Sequence, residues 1–292
     1  MNSNLPLVSV CLPVYNGEKY LLEALISLKL QTYQNIELIV SDDNSSDNSL
    51  KIIDTFKTEV SFPIYVFDHK PKGIGANWNN CANKANGDYI KFLFQDDILS
   101  PTCIEKMVKY ALKNKNIGLV YSKRDFIYNA ANEKNIEWIK LYNNLHLSWK
   151  QHSVLDGVVS SGKQLLKDDN IFEFPENKIG EPTAVLIKKE VFRKVGPFSE
   201  VLKQTLDIEY WCRVMKYYDV IFIDEKLISF RLHDKQATAI NAGNNLREIN
   251  LFYQMILGNL FWQLNKNVKK TLFLKYTFAG RVIKKILYLI KC

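Results

Sequence analysis

Asp42-Asp43 and Asp96-Asp97 are adjacent carboxylate pairs, each placed at the exit of an apolar run. Ile36 to Val40 reads I-E-L-I-V ahead of S-D-D-N-S, and Tyr89 to Phe94 reads Y-I-K-F-L-F ahead of Q-D-D. Neighbouring carboxylates repel unless a cation or hydrogen-bond donors hold them. If both runs are strands of one open α/β sheet, both pairs fall beyond strand carboxyl ends, where such sheets bind ligands. Either pair alone also reads as a polar turn or a helix cap. The repeated order of strand, Asp-Asp and helix start favours a site.

The elements that must position these pairs alternate along the first half of the chain. Val8 to Pro13 reads as a buried strand, and Glu18 to Leu30 carries Leu21, Leu25 and Leu28 at helical spacing. A strand at Ile36 to Val40 precedes a helix from about Asp47 to Phe56, with Ser45 or Ser46 as its cap. Ile64 to Phe67 is a third strand, and Ile74 to Asn86 a helix that stops at Gly87. The strand ending at Phe94, a helix opened by Pro101 and a strand at Ile117 to Tyr121 follow. This alternation predicts an α/β fold with a mostly parallel sheet flanked by helices.

After Ser122 the alternation fails. Residues Arg124 to Lys178 mix Asn, Trp, Tyr and His without a clean period, so the expectation is a long excursion with short helices near Ser148 to Gln151 and Gly162 to Leu166. Regular elements return as a strand at Thr183 to Ile187, helices at Lys189 to Val195 and about Asp207 to Tyr217, and strands at Val220 to Ile223 and Leu227 to Leu232. Asn245 to Ile290 reads as two helices. The expected units are therefore 1–122, 123–235 and a helical extension over 236–292.

At 292 residues with 47% hydrophobic content, the chain can bury a sizeable core. No secretory leader is visible at Met1 to Pro6, and the uncharged run Ile249 to Asn265 is too interrupted for a bilayer span. The five cysteines have no C-x-x-C spacing, which predicts a reducing cytoplasm rather than disulfides or a zinc site. The formal charge is +8, and after Glu248 eight Lys and Arg residues stand without a single acid. The body before Lys266 is therefore formally neutral.

Four motifs stand in order: P-V-Y-N-G-E at Pro13 to Glu18, S-D-D-N-S-S-D at Ser41 to Asp47, G-D-Y-I-K-F-L-F-Q-D-D at Gly87 to Asp97, and D-I-E-Y-W-C-R at Asp207 to Arg213. Together they resemble the inverting family-two glycosyltransferases of the GT-A fold, over roughly Leu5 to His233. The resemblance implies transfer of a sugar from a nucleoside-diphosphate sugar, a UDP-sugar by expectation, to an acceptor hydroxyl. It also implies a role in bacterial surface polysaccharide, lipopolysaccharide or capsule assembly, on a glycan or lipid-linked glycan acceptor.

It further implies that Pro13, Tyr15 and Glu18 line the nucleoside pocket and that Asp43 accepts the imide hydrogen of uracil. Asp96 falls on the ribose side, and Asp97 is expected as ligand to Mn²⁺ or Mg²⁺, whose hard character suits carboxylate oxygen. Phe94 stands where the family's acidic motif usually opens with Asp. Asp207 matches the catalytic base, at a helix start that favours its ionised form; the residue before it, usually acidic, is Leu206. Arg231 and His233 match positions that approach the diphosphate or the metal. Glu181 and Trp211 are expected near the donor or acceptor sugar, although Glu181 also reads as a surface turn and Trp211 as a core residue of an amphipathic helix.

In the tail, Leu272, Tyr276, Ala279, Ile283, Ile286 and Ile290 form one helical stripe, with Lys270, Arg281, Lys284 and Lys285 broadly opposite. A basic amphipathic helix of this kind suits an anionic membrane surface, at about 1 kcal/mol per cation, or packs its stripe on the body. Nucleic-acid binding is not expected, because the charge is confined to an aliphatic helix without a base-reading motif. The competing reading is a non-catalytic nucleotide-sugar or glycan-binding module, supported by Phe94 and Leu206.

Overall fold

The computed structural model of the chain describes residues 5–234, 236 and 245–291. Met1 to Asn4, Cys292 and residue 235, on the near side of the expected boundary at 235/236, lie outside them.

The strands are β1 (Val8–Val14), β2 (Ile36–Asp42), β3 (Ile64–Asp68), β4 (Tyr89–Phe92), β5 (Ile98–Leu99), β6 (Ile117–Ile127), β7 (Val159–Ser160), β8 (Val185–Lys188) and β9 (Asp219–Arg231). They form one sheet in the order β3-β2-β1-β4-β8-β6-β9-β5, with β7 on β9. The β3-β2-β1-β4 half is parallel throughout, as is the long β6–β9 pairing; β8 joins the halves antiparallel to β4 and β6. Period-two alternation divides the core between the sheet's two faces. Val8, Val10, Leu12 and Val14 pack on one face, whereas Cys11 belongs to the other.

On the first face lie α1 (Leu21–Lys29), α2 (Ser49–Lys57) and α4 (Cys103–Ala111), through residues such as Leu25, Ile53 and Met107. The second face takes α3 (Ile74–Lys84), α7 (Lys189–Val195) and α8 (Leu206–Met215). Against α8 and the same core pack α9 (Asn245–Leu260) and α10 (Lys266–Tyr276), through Phe252, Ile256, Leu260, Leu272 and Tyr276. The α/β body with a mostly parallel sheet flanked by helices, followed by C-terminal helices, is thus the expected one.

Three local expectations give way to tertiary structure. β6 runs five residues past Ser122 because Lys123 to Ile127 continue pairing with β9, beyond register shifts at Ser122 and Lys123. The same pairing merges the two expected late strands into β9. Within the excursion, α5 (Glu133–Tyr142) forms with no fully buried residue, capped by the Asn132 side chain accepting from Lys134 N; α6 (Gly162–Leu165) was expected, whereas Ser148 to Gln151 is not helical.

The tail stripe is divided. Thr277 is extended (φ −101°, ψ 153°) and ends α10; its hydroxyl then accepts from Gly280 N at the start of α11 (Phe278–Lys291). Leu272 and Tyr276 are buried, and Tyr276 stacks on Tyr253 at 4.3 Å. Past the break, Val282, Ile283, Ile286 and Leu287 are exposed, so α11 does not pack its apolar arc on the body.

Candidate active site

The parallel half of the sheet delivers its loops to one edge. β1 leads into Tyr15-Asn16-Gly17, β2 into Asp43, β3 into His69, and β4 into Gln95-Asp96-Asp97. β9 ends there at Arg231, followed by His233, and Glu181 precedes β8 at the same edge because β8 runs antiparallel.

At the β1 end, Tyr15 is 57% exposed and free to offer its ring, beside half-buried Pro13. The loop is held by left-handed Asn16 (φ 48°), whose Oδ1 accepts from Ser46 N, and by Gly17 N donating to Ser49 Oγ. Gln95 exchanges two hydrogen bonds with the Tyr15 backbone, Tyr15 N to Oε1 at 2.9 Å and Nε2 to Tyr15 O at 3.1 Å. A Cβ on Gly17 would stand 2.5 Å from that Oε1, so a larger residue there would displace the Gln95 side chain from this exchange. Glu18 turns toward α2: its Oε2 accepts from Asn48 N and Nδ2.

The first acidic pair has unequal members. Asp42 is buried and its Oδ2 accepts from Ser45 N, a local turn contact. Asp43 Oδ1 lies 2.6 Å from His69 Nδ1, and its backbone N–H donates to Val14 O.

The second pair is divided as well. Asp96 Oδ2 lies 2.9 Å from His233 Nε2 in a half-buried setting. Asp97 is buried: Oδ1 accepts from Arg231 N at 3.1 Å, while Oδ2 faces Thr183 without a well-formed hydrogen bond. Burial, then the charge of Asp96, raises the Asp97 carboxyl well above the usual range. Arg231 is anchored by Asp96 O, by Glu23 Oε2 and by the Tyr20 ring, whose centroid lies 4.4 Å from the guanidinium carbon. Phe94, in place of an acid, stacks on Trp78 at 5.0 Å and belongs to the aromatic core.

The Asp96 carboxylate and the His233 imidazole, 2.9 Å apart, offer one oxygen and one nitrogen ligand to a divalent cation. No group of three or more His, Cys, Asp or Glu able to hold a metal forms among the described residues. Asp97, the expected metal ligand, is buried with one oxygen on Arg231 N, whereas Asp96, expected on the ribose side, meets His233. A cation at Asp96 and His233 would complete its shell with ligand oxygens, as Mg²⁺ commonly does with phosphates.

Asp207 stands in the first turn of α8 and is buried. Asn177 Nδ2 donates to its Oδ2 at 2.9 Å, and Ile208 N to its Oδ1 at 2.8 Å. Burial, followed by the negative charge of Glu181, pushes its pKa up to about 7. Glu181 is clamped by buried Arg124, whose Nη1 donates to both carboxylate oxygens and whose Nη2 donates to Tyr142 O. Leu206, in place of an acid, is a core residue.

Trp211 is corrected by the structure. It is 1% exposed and donates from Nε1 to Gly180 O at 3.0 Å, so it supports the segment carrying Glu181 rather than meeting a substrate. His69, Gln95, Arg124 and Asn177 were not found from sequence. Each acts on a site residue far along the chain, and only the positions of His69 and Gln95 directly after strands could have marked them.

Asp207 and Glu181 open into a groove of about 1460 Å³ bounded by α5, the segment 169–177, α9 and α10. A sheet edge that gathers Tyr15, Asp43, Asp96 and His233, with the buried Asp207 carboxylate at an adjoining groove, is the arrangement of a glycosyltransferase of the GT-A type. The chain belongs to glycosyl transferase family 2, whose family model matches residues 9–196.

An uncharacterized glycosyltransferase of Rickettsia typhi is 31% identical over 264 residues, covering 89% of this chain and 74% of the relative. A longer Rickettsia felis relative is 28% identical, and the chain spans only 40% of it. Among solved structures, S. aureus TarS in complex with UDP-GlcNAc aligns over 92% of this chain and 71% of its own, with a TM-score of 0.64 at 16% identity. A Pyrobaculum calidifontis mannosyltransferase in complex with GDP-Man and Mn²⁺ aligns over 88% and 65%, with a TM-score of 0.62 at 14% identity. No helix among the described residues is long and apolar enough to cross a membrane.

Proposed function

We propose that the protein is an inverting, metal-dependent glycosyltransferase that uses a UDP-sugar. The observation that carries this reading is Asp207, a buried carboxylate poised near pH 7 by burial and Glu181, aimed by Asn177 at the head of an open groove. A general base works best with a pKa near the operating pH. Asp207 takes the proton of an acceptor hydroxyl, the oxygen attacks the anomeric carbon, and the bond to the diphosphate breaks on the opposite face.

At the donor end, Tyr15 stacks on the base, and Asp43, with one oxygen on His69, keeps the other for the imide N–H of uracil. Asp96 and His233, rather than the Asp97 and His233 that the resemblance implies, would hold Mn²⁺ or Mg²⁺, while Arg231 supplies positive charge nearby. A divalent cation bound there would offset the charge of the departing diphosphate. Pro13 borders the nucleoside, and Glu18 shapes the same loop through Asn48. The TarS and mannosyltransferase complexes support a nucleotide-sugar donor and a divalent metal.

The exposed apolar arc of α11, opposite Arg281, Lys284 and Lys285, supports peripheral contact with an anionic membrane at the cytoplasmic face. That location suits a lipid-linked glycan acceptor and surface-polysaccharide assembly. The test is a panel of nucleotide sugars, with and without Mn²⁺, read as thermal shift and as donor turnover. One UDP-sugar should stabilise the protein and turn over only with metal. Metal-independent binding without turnover would instead establish the non-catalytic module. Sedimentation with anionic vesicles, with and without residues 278–292, tests the surface contact; equal binding of both forms refutes it.

A further inference from the structure

The groove that leaves Asp207 is larger and more varied than one acceptor hydroxyl needs. Its volume of about 1460 Å³ exceeds the roughly 300–1,000 Å³ of ordinary small-molecule pockets. One wall is an aromatic ladder: Trp138 stacks on Tyr142 at 4.6 Å and on Phe230 at 5.9 Å, and Tyr142 meets Phe174 edge-on at 5.3 Å. Trp138 and Tyr142 are half-buried, and Phe174 is 53% exposed, so ring surface remains open to the groove. The opposite wall comes from the C-terminal helices, where Tyr253 and Lys275 line the groove.

This lining has a chemical preference. A pyranose presents an apolar C–H face and a rim of hydroxyls, which match flat rings flanked by amide and carboxylate acceptors. The charged lining is five carboxylates, Asp169, Glu173, Glu176, Glu181 and Asp207, against Lys150 and Lys275. Glu181 is neutralised by Arg124, Asp169 lies 3.9 Å from Lys150, and the pKa of Asp207 is raised to about 7. Glu173 and Glu176 against Lys275 therefore leave the groove weakly negative, which disfavours a phosphate- or uronate-bearing chain.

We infer that the groove is an extended acceptor site for an uncharged oligosaccharide, with α9 and α10 as one of its walls. This rests on the proposed transferase reading and names its acceptor class. The growing end lies at Asp207, and earlier sugars run along the Trp138–Tyr142–Phe174 ladder toward Lys275.

The test uses the full-length protein and a panel of oligosaccharides from one sugar to four, some neutral and some carrying phosphate. Binding is read by calorimetry, and slow donor hydrolysis to water is followed separately. The expected result is affinity that rises with length for at least one neutral series and is absent for the phosphate-bearing chains. Phe174→Ala, at an exposed ring, and Tyr253→Phe, which keeps the stack on Tyr276, should each weaken the longer chains at least threefold and leave donor hydrolysis unchanged. Affinity that is independent of length, confined to phosphate-bearing chains, absent for every neutral chain, or indifferent to both substitutions overturns the inference. Donor hydrolysis that persists in those cases leaves the transferase reading standing, whereas its absence from the unsubstituted protein brings that reading down instead.

Discussion

His69 Nδ1 lies 2.6 Å from Asp43 Oδ1, joining the ends of two neighbouring parallel strands. The contact occupies one carboxylate oxygen and fixes the direction of the other. Hydrogen bonds to charged groups contribute about 1.5–3 kcal/mol. His69→Ala should therefore raise the donor KM on the order of tenfold or more while changing kcat little. Steady-state kinetics with the donor varied checks this, and an unchanged donor KM would exclude His69 from base recognition.

Transfer should increase with pH and level off above about 7, because Asp207 must be ionised to accept a proton. Asn177 donates to that carboxylate and favours its charged form, so Asn177→Leu should move the acid limb of the kcat profile to higher pH. A profile that stays in place would separate Asn177 from the titration.

Asp207→Asn should lower kcat by about 10²–10⁴-fold while preserving nucleotide binding. Its effect on stability has a defined sign. The folded pKa lies above the ordinary carboxylate value, so the native state retains a proton that the unfolded chain has lost. Stability therefore falls as pH rises from about 4 to about 7, by at most about 4 kcal/mol. The Asn variant escapes that loss. Its thermal midpoint should exceed that of the parent at pH 8 and match it near pH 4, as calorimetry at the two pH values would register.

Arg124 is 3% exposed and paired with Glu181. Arg124→Met removes one partner of this pair and also frees Tyr142 O, at a cost of about 3–5 kcal/mol. The double variant Arg124→Met, Glu181→Met should recover much of that stability without recovering activity. Denaturant midpoints for the two variants provide the comparison.

The strands and helices that carry the acidic pairs were legible from sequence because both faces of the parallel half are buried. Apolar runs such as Val8 to Val14 and Ile36 to Val40 follow directly from that burial. α5 was not legible: its Trp138 and Tyr142 line a groove instead of packing in the core, so its apolar residues follow no core-facing period. The break at Thr277 was hidden for the opposite reason. The wheel drawn through Leu272, Tyr276 and Ile283 is continuous, and only the packing of Tyr276 on Tyr253 shows where α10 must stop.

The site was legible as an ordered set of carboxylates, but not in its partners. His69, Gln95, Arg124 and Asn177 lie 26, 80, 57 and 30 residues from the groups they hold, distances over which spacing carries no signal.

The two hydrogen bonds between the Gln95 side chain and the Tyr15 backbone make that amide a stand-in for one more rung of the β1–β4 ladder. The stacking platform and the acidic pair are thereby fastened into a single jaw. The loops that carry Tyr15 and Asp96 are tied to each other by an exchange that regular strand pairing does not supply.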